Sequence, residues 1–216
     1  MIEPVNPKRS YDSPRRREQA AATRRDILSA AQRLFESQGY AATTMAAIAS
    51  EAGVAAKTVY ASFETKSGVL RALWNLLLRG DEADVPVMDR AWYREVLEEP
   101  DAQRQLQLNA RNARAVKMRI AGVLDVIRNA AALDADSAGL WARIQSDFYD
   151  NQLAIVRSLD ARGALRPGLD VARAGDILWT LNHPDLWQLL VTGRGWTPEQ
   201  WEAWFDETSR AQLLEP

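Results

Sequence analysis

Cysteine is absent from the 216 residues, which excludes a disulfide framework and any thiolate chemistry. Histidine occurs once, as His183 directly before Pro184, and a lone imidazole at a helix break reads as structural rather than catalytic. No apolar run approaches a membrane span, and the N-terminus is charged rather than signal-like. A reducing cytoplasm is the expected location, with no membrane partner. Proline is missing between Pro14 and Pro86 and again between Pro100 and Pro167, which leaves room for long helices. Sustained alternation of apolar and polar residues is also lacking, so the fold class is all-α. There is no glycine-rich phosphate loop, no cluster at metal-ligand spacing and no nucleophile placed beside a base. The acidic pair Glu98-Glu99 precedes Pro100 and reads as a solvated helix end. Neither an enzyme nor a metal or cofactor is expected.

What is present is a charge asymmetry. The chain carries a net charge of −2, with 12 Lys/Arg against 7 Asp/Glu in residues 1–80 and 15 against 22 in residues 81–216. A basic first third on an acidic remainder suits a nucleic-acid-binding module joined to a body that need not touch nucleic acid.

Residues 43–66 organise that basic third. Thr44 can cap a short helix through its hydroxyl, and Met45, Ile48 and Ala49 recur at helical spacing. Gly53 can take the left-handed conformation that stops the helix, and a second helix carries Val59 and Tyr60. A small residue at 49, glycine at 53 and valine at 59 describe a helix-turn-helix. Upstream, Ile27, Leu28, Ala31, Leu34 and Phe35 form one apolar stripe of a helix expected over 18–38, ended by Gly39. Downstream, Val69, Leu70, Leu73, Trp74 and Leu77 mark a fourth helix over 66–79 that links the basic unit to the body.

Thr43-Thr44, Ile48-Ala49, Ala52-Gly53-Val54, Thr58-Val59-Tyr60, Phe63 and Lys66, with Ile27 to Tyr40 behind them, resemble the DNA-binding domain of the TetR family of bacterial transcriptional regulators. The resemblance covers about the first third of the chain. It implies contacts to double-stranded DNA, with Thr58, Tyr60 and Lys66 as phosphate anchors and Thr44 as a further DNA-binding residue. The chain departs from the family pattern in its reading helix. Ala55 stands where serine is common, which removes a capping hydroxyl, and Lys57 stands where glycine is frequent. Ala55 and Ala56 offer only methyl contacts, whereas Lys57 can reach a guanine edge or a phosphate. Residues 1–17 read as a basic arm ending in Arg15-Arg16-Arg17, following phosphates or serving solubility alone; Arg24 in the first helix is a further candidate phosphate contact.

The expected organisation is an arm over 1–17, a three-helix DNA-binding domain over 18–65, a linking helix and boundary over 66–85, and a helical-bundle domain over 86–216. Helices are expected over 87–98, 101–131 (with a break near Gly122), 137–162, 170–182, 184–191 and 197–213. Thr197-Pro198-Glu199-Gln200 has the pattern of a capping box. Trp92, Trp141, Phe148 and Trp179, with polar Asn109 and Asn151, are candidate walls of a small-molecule pocket; the alternative is that the rings simply fill a core. Leu186, Leu190, Trp201, Trp204 and Phe205 exceed what one inner face needs and suggest a homodimer interface. Together with the resemblance, these features point to a homodimeric repressor that a small-molecule effector releases from a palindromic operator. The rival readings are a DNA-binding or scaffolding protein with no effector pocket, and an all-α enzyme.

Overall fold

The computed structural model describes residues 14–80 and 87–215; most of the expected arm and the boundary at 81–85 lie outside them. Helix α1 (Pro14–Ala42) starts earlier than the apolar stripe implies, because proline is tolerated in an opening turn. Arg15, Arg16 and Arg17 therefore stand on the first turns of α1, exposed, instead of belonging to an arm. Gly39 (φ 81°, ψ 169°) interrupts the helix at the end that the sequence implies.

Helices α2 (Met45–Glu51) and α3 (Ala56–Phe63) form the helix-turn-helix. The Thr44 hydroxyl accepts from Ala47 N at 3.0 Å. Gly53 sits at φ +67°, and Val54 N donates to Ala49 O at 3.0 Å, which sets the angle between the two helices. Ala55 provides no side-chain cap for α3. Helix α4 (Lys66–Arg79) is capped by Thr65 and ends at left-handed Gly80.

After a 3-10 turn at Val87–Asp89 come α5 (Ala91–Glu98), α6 (Ala102–Ala131), α7 (Ala135–Asp160) and α8 (Val171–Leu181). The short α9 (Pro184–Trp187) widens into a π-helical turn, Gln188–Gly193, in place of the single helix expected there. Helix α10 (Pro198–Leu213) opens on the full capping box between Thr197 and Gln200. Aspartates 101, 134 and 170 each cap the helix that follows them.

Contrary to the sequence reading, α6 is continuous through Gly122. A methyl group there would lie 2.7 Å from Glu36 Oε1, so the glycine allows α1 to approach α6. Two apolar cores share α6. One joins α1–α4 to Ile120, Val123, Leu124 and Ile127; the other joins α5, the first half of α6, and α7–α10.

Gly68 has a similar role at the start of α4: a Cβ would lie 2.2 Å from Phe63 O, a backbone atom that cannot step aside cheaply. Gly68→Ala is expected to lower stability by about 2 kcal/mol through overpacking, read by urea unfolding. An unchanged midpoint would show that α3 and α4 are not rigidly crossed.

Candidate nucleic-acid interface and body cavity

Val59 and Phe63 bury the inner side of α3, and the opposite side consists of exposed Ala56, Lys57, Tyr60 and Ala61. Tyr60 is 53% exposed, so its ring and hydroxyl both stand on the surface. Thr58 is half-buried, and its carbonyl accepts from the Ser62 hydroxyl at 2.9 Å. Ala55 and Ala56 are exposed at the N-terminal end of the helix. The surface therefore offers one cation, one phenol and a row of methyl groups.

Two of the candidate phosphate contacts have internal partners. Arg24 donates to Ser62 O at 3.1 Å and lies over the Phe63 ring at 4.2 Å, which ties the end of α3 to α1. Lys66 is half-buried; its ammonium donates to Tyr40 O at 2.7 Å and Thr43 O at 2.9 Å, and lies 4.1 Å from the Tyr40 ring centre. Burial lowers its pKa from the ordinary lysine value. Lys66 thus holds the turn between α1 and α2 against α4 and fixes where Thr44 stands. Beside α3, a groove of about 650 Å³ is lined by Arg24, Arg25, Arg71 and Arg79, with Glu64 the acid among them. Such a cluster raises the local attraction for phosphate.

In the body a cavity of about 120 Å³ lies among α4, α5, α6, α7 and the start of α9. Of the candidate wall residues, Trp92, Asn109, Phe148 and Asn151 line it. Trp141 and Trp179 do not. Trp141 packs against the first core under Arg128, 5.3 Å away, and Trp179 meets Tyr149 and His183 edge-on. Periodicity places a ring on a helix face but not on the right neighbour. Trp74 and Leu78 bring α4 into the cavity wall.

The cavity also contains a residue that the sequence reading misses. Lys117 is buried, and its ammonium donates to Asn182 O at 2.7 Å and Asn182 Oδ1 at 2.6 Å. Asn182 in turn donates to Gln152 Oε1 at 3.1 Å. Burial brings the Lys117 pKa down to about 7. The signal is present in the chain: Leu106, Ala110, Ala113, Lys117, Ile120, Leu124 and Ile127 repeat at spacings of three and four, so a cation occupies one step of an apolar stripe.

His183 caps α9: its Nδ1 accepts from Asp185 N at 3.2 Å, and desolvation lowers its pKa. Of the expected interface residues, Trp201 and Phe205 are completely buried. They stack on each other at 5.1 Å inside the second core and correct the expectation that they face a partner. Leu186, Leu190 and Trp204 are half-buried, and Leu189 beside them is 61% exposed. Among the described residues no group of three His, Cys, Asp or Glu could hold a metal ion, and no helix is long and apolar enough to cross a membrane.

A helix-turn-helix presenting an exposed second helix, carried on a helical body, defines a DNA-binding transcriptional regulator. The sequence profile of the bacterial regulatory proteins of the tetR family matches residues 27–73. The chain is 29% identical over 164 residues to the HTH-type transcriptional regulator TtgR of Pseudomonas putida, a match covering 74% of this chain and 76% of that one. Two solved structures share the fold. A protein from Saccharomonospora viridis in complex with choline superposes with a TM-score of 0.69 at 19% identity, over 91% of this chain and 100% of that one. NalD, the secondary repressor of the MexAB-OprM multidrug efflux pump in Pseudomonas aeruginosa, superposes with a TM-score of 0.68 at 20% identity, over 92% and 98%. Residues 27–73 therefore match the regulatory module of the tetR family, and over most of its length the chain is similar to bacterial transcriptional regulators of that kind.

Proposed function

We propose that the protein is a homodimeric repressor that a small-molecule effector releases from a palindromic operator. One observation carries this reading: α4 belongs to both ends of the coupling. Val69 and Leu70 pack in the core of the DNA-binding helices, and Trp74 and Leu78, further along the same helix, line the body cavity. A compound seated against Trp74 and Leu78 shifts α4 and, in a dimer, the separation of the two α3 helices. It favours the DNA-free arrangement by its differential affinity for the two states. NalD is named a repressor, and the Saccharomonospora viridis protein holds choline, which supports a ligand-binding repressor on this fold.

In this reading residues 18–65 form the DNA-binding domain, 66–85 the link and 86–216 the effector and dimer domain. The two-fold interface uses the leucines that α9 and the π-helical turn leave accessible, Leu186, Leu189 and Leu190, together with Trp204. The cytoplasm is the working compartment, and the protein is a regulator rather than an enzyme.

The cavity volume favours a second reading. About 120 Å³ is well below the roughly 300 Å³ at which ligand pockets begin, as expected of a DNA-binding protein with a filled body. A single experiment separates the two. Duplexes are selected from a random pool, and the winning sequence is titrated with compounds that raise the melting temperature of the protein. The repressor reading expects an inverted repeat whose affinity falls when such a compound saturates the protein. Operator affinity unchanged at saturation would leave only the effector-free protein.

A further inference from the structure

We infer that the body cavity selects a small aromatic carboxylate, paired through its anionic oxygens with the ammonium of Lys117. The inference rests on the reading that this cavity is the effector site, and it names the effector's chemistry.

Lys117 is 4% exposed, and no ion pair reaches it among the described residues. Its hydrogen-bond partners are the two neutral oxygens of Asn182, and its other neighbours are the rings of Trp201 at 4.9 Å and Phe148 at 5.5 Å. The charged groups around it leave it without a counter-ion. On α6, Asp125 accepts from Gln188 at 2.7 Å and pairs with Arg128, which also holds Asp185 at the start of α9. On α7, Asp147 is exposed at the cavity rim. His183, ahead of α9, adds positive charge when protonated. A cation buried without an anion is costly, and an anion supplied from outside offsets that cost.

The rest of the wall agrees on what such an anion must be attached to. Asn109, two helical turns before Lys117 on α6, lines the same cavity, and its buried Nδ2 has no hydrogen-bond partner. The polar groups left over are thus donors, which suits a ligand rich in acceptors. Between them the walls are Trp92, Phe148, Ile120 and Leu124. The volume of about 120 Å³ is close to the roughly 150 Å³ of an engineered apolar cavity that takes up benzene, so one ring fits. The lowered pKa of Lys117, about 7, accords with a site waiting for a counter-charge.

The test is titration calorimetry of the full-length protein with benzoate, benzamide and benzylamine. These probes share a ring and differ in charge. Benzoate is expected to bind about tenfold or more tightly than benzamide, because a charge-assisted hydrogen bond is roughly twice as strong as a neutral one. Benzylamine is expected to give no heat. In Lys117→Met and Lys117→Gln the preference for benzoate over benzamide should vanish; Gln keeps a donor for Asn182 and serves if Met does not fold. Equal affinities for benzoate and benzamide, no binding of benzoate, or a preference that persists in the folded variant would each overturn the inference. Lys117-dependent benzoate binding that leaves the operator complex intact would uphold this ligand class and remove the effector role. Release of the operator by a different compound, with benzoate failing to bind, would do the reverse.

Discussion

Replacing Lys117 by methionine is expected to make the protein more stable at pH 7, by about 2 kcal/mol, and to flatten the alkaline side of its stability profile. The argument begins with burial. The folded-state pKa of Lys117 is about 7, against 10.5 for the free side chain. Below pH 7 both states are protonated, and the folded state bears the whole cost of the enclosed charge. Between pH 7 and 10.5 the unfolded chain holds one more proton than the folded one, so stability rises with pH. The slope is about 1.4 kcal/mol per pH unit for one such group. Lys66, whose pKa is also lowered by burial, adds to the rise in the upper part of this window. Above about pH 10 the sign reverses. Tyr40 is pushed up to about 12, and burial raises Tyr93 further, so the unfolded chain loses their protons first and stability falls. His183, with a lowered pKa, gives its own rise below pH 7 and leaves the window unaffected. Methionine removes the charge at similar length. Its cost is Asn182, whose carbonyl and amide oxygens lose their donor, worth about 1–3 kcal/mol. Urea unfolding at pH 6.5, 8 and 9.5 reads the result. The wild-type protein should gain stability steadily across that series, and the variant should show no gain from pH 6.5 to 8 and only the smaller contribution of Lys66 above that. A flat wild-type profile would mean that Lys117 keeps an ordinary pKa and an exposed ammonium.

The parts of the molecule that are legible in the sequence are those that depend on a few adjacent residues. The Thr44 cap, the left-handed turn at Gly53, the uncapped start of α3 at Ala55 and the Thr197–Gln200 box are local chemistry, and the structure has all four. Where a side chain's neighbour comes from another part of the chain, the pattern is ambiguous. Trp201 and Trp204 are three apart on α10 and equally apolar, yet Trp201 is completely buried and Trp204 is not. Gly122 suggests a break because glycine weakens helices, but its use is to admit Glu36 of a distant helix. Lys117 escapes notice for the opposite reason. Its spacing marks it as buried, but lysines on a helix are ordinarily solvated, and only the folded end of α8 shows that Asn182 receives it.

The second large effect concerns the reading helix, and it tests the central claim most directly. Lys57 is an exposed cation on α3, and Thr58 stands beside it with its side chain half-buried. In a dimer the pair occurs twice, so Lys57→Ala combined with Thr58→Ala removes two cations and two hydroxyls from the surface that faces the duplex. Neither residue supports the fold, whose core on α3 is Val59 and Phe63. Binding of wild-type and doubly substituted protein to a selected inverted-repeat duplex is measured from low to moderate salt. The double variant is expected to keep the wild-type circular dichroism spectrum and to bind about 10- to 100-fold more weakly. The plot of log affinity against log salt should become shallower by about two, because each half-site then has one fewer lysine paired with a phosphate. Equal affinity and equal salt slope for the two proteins would contradict the account, because the exposed face of α3 would then not be the surface that meets DNA.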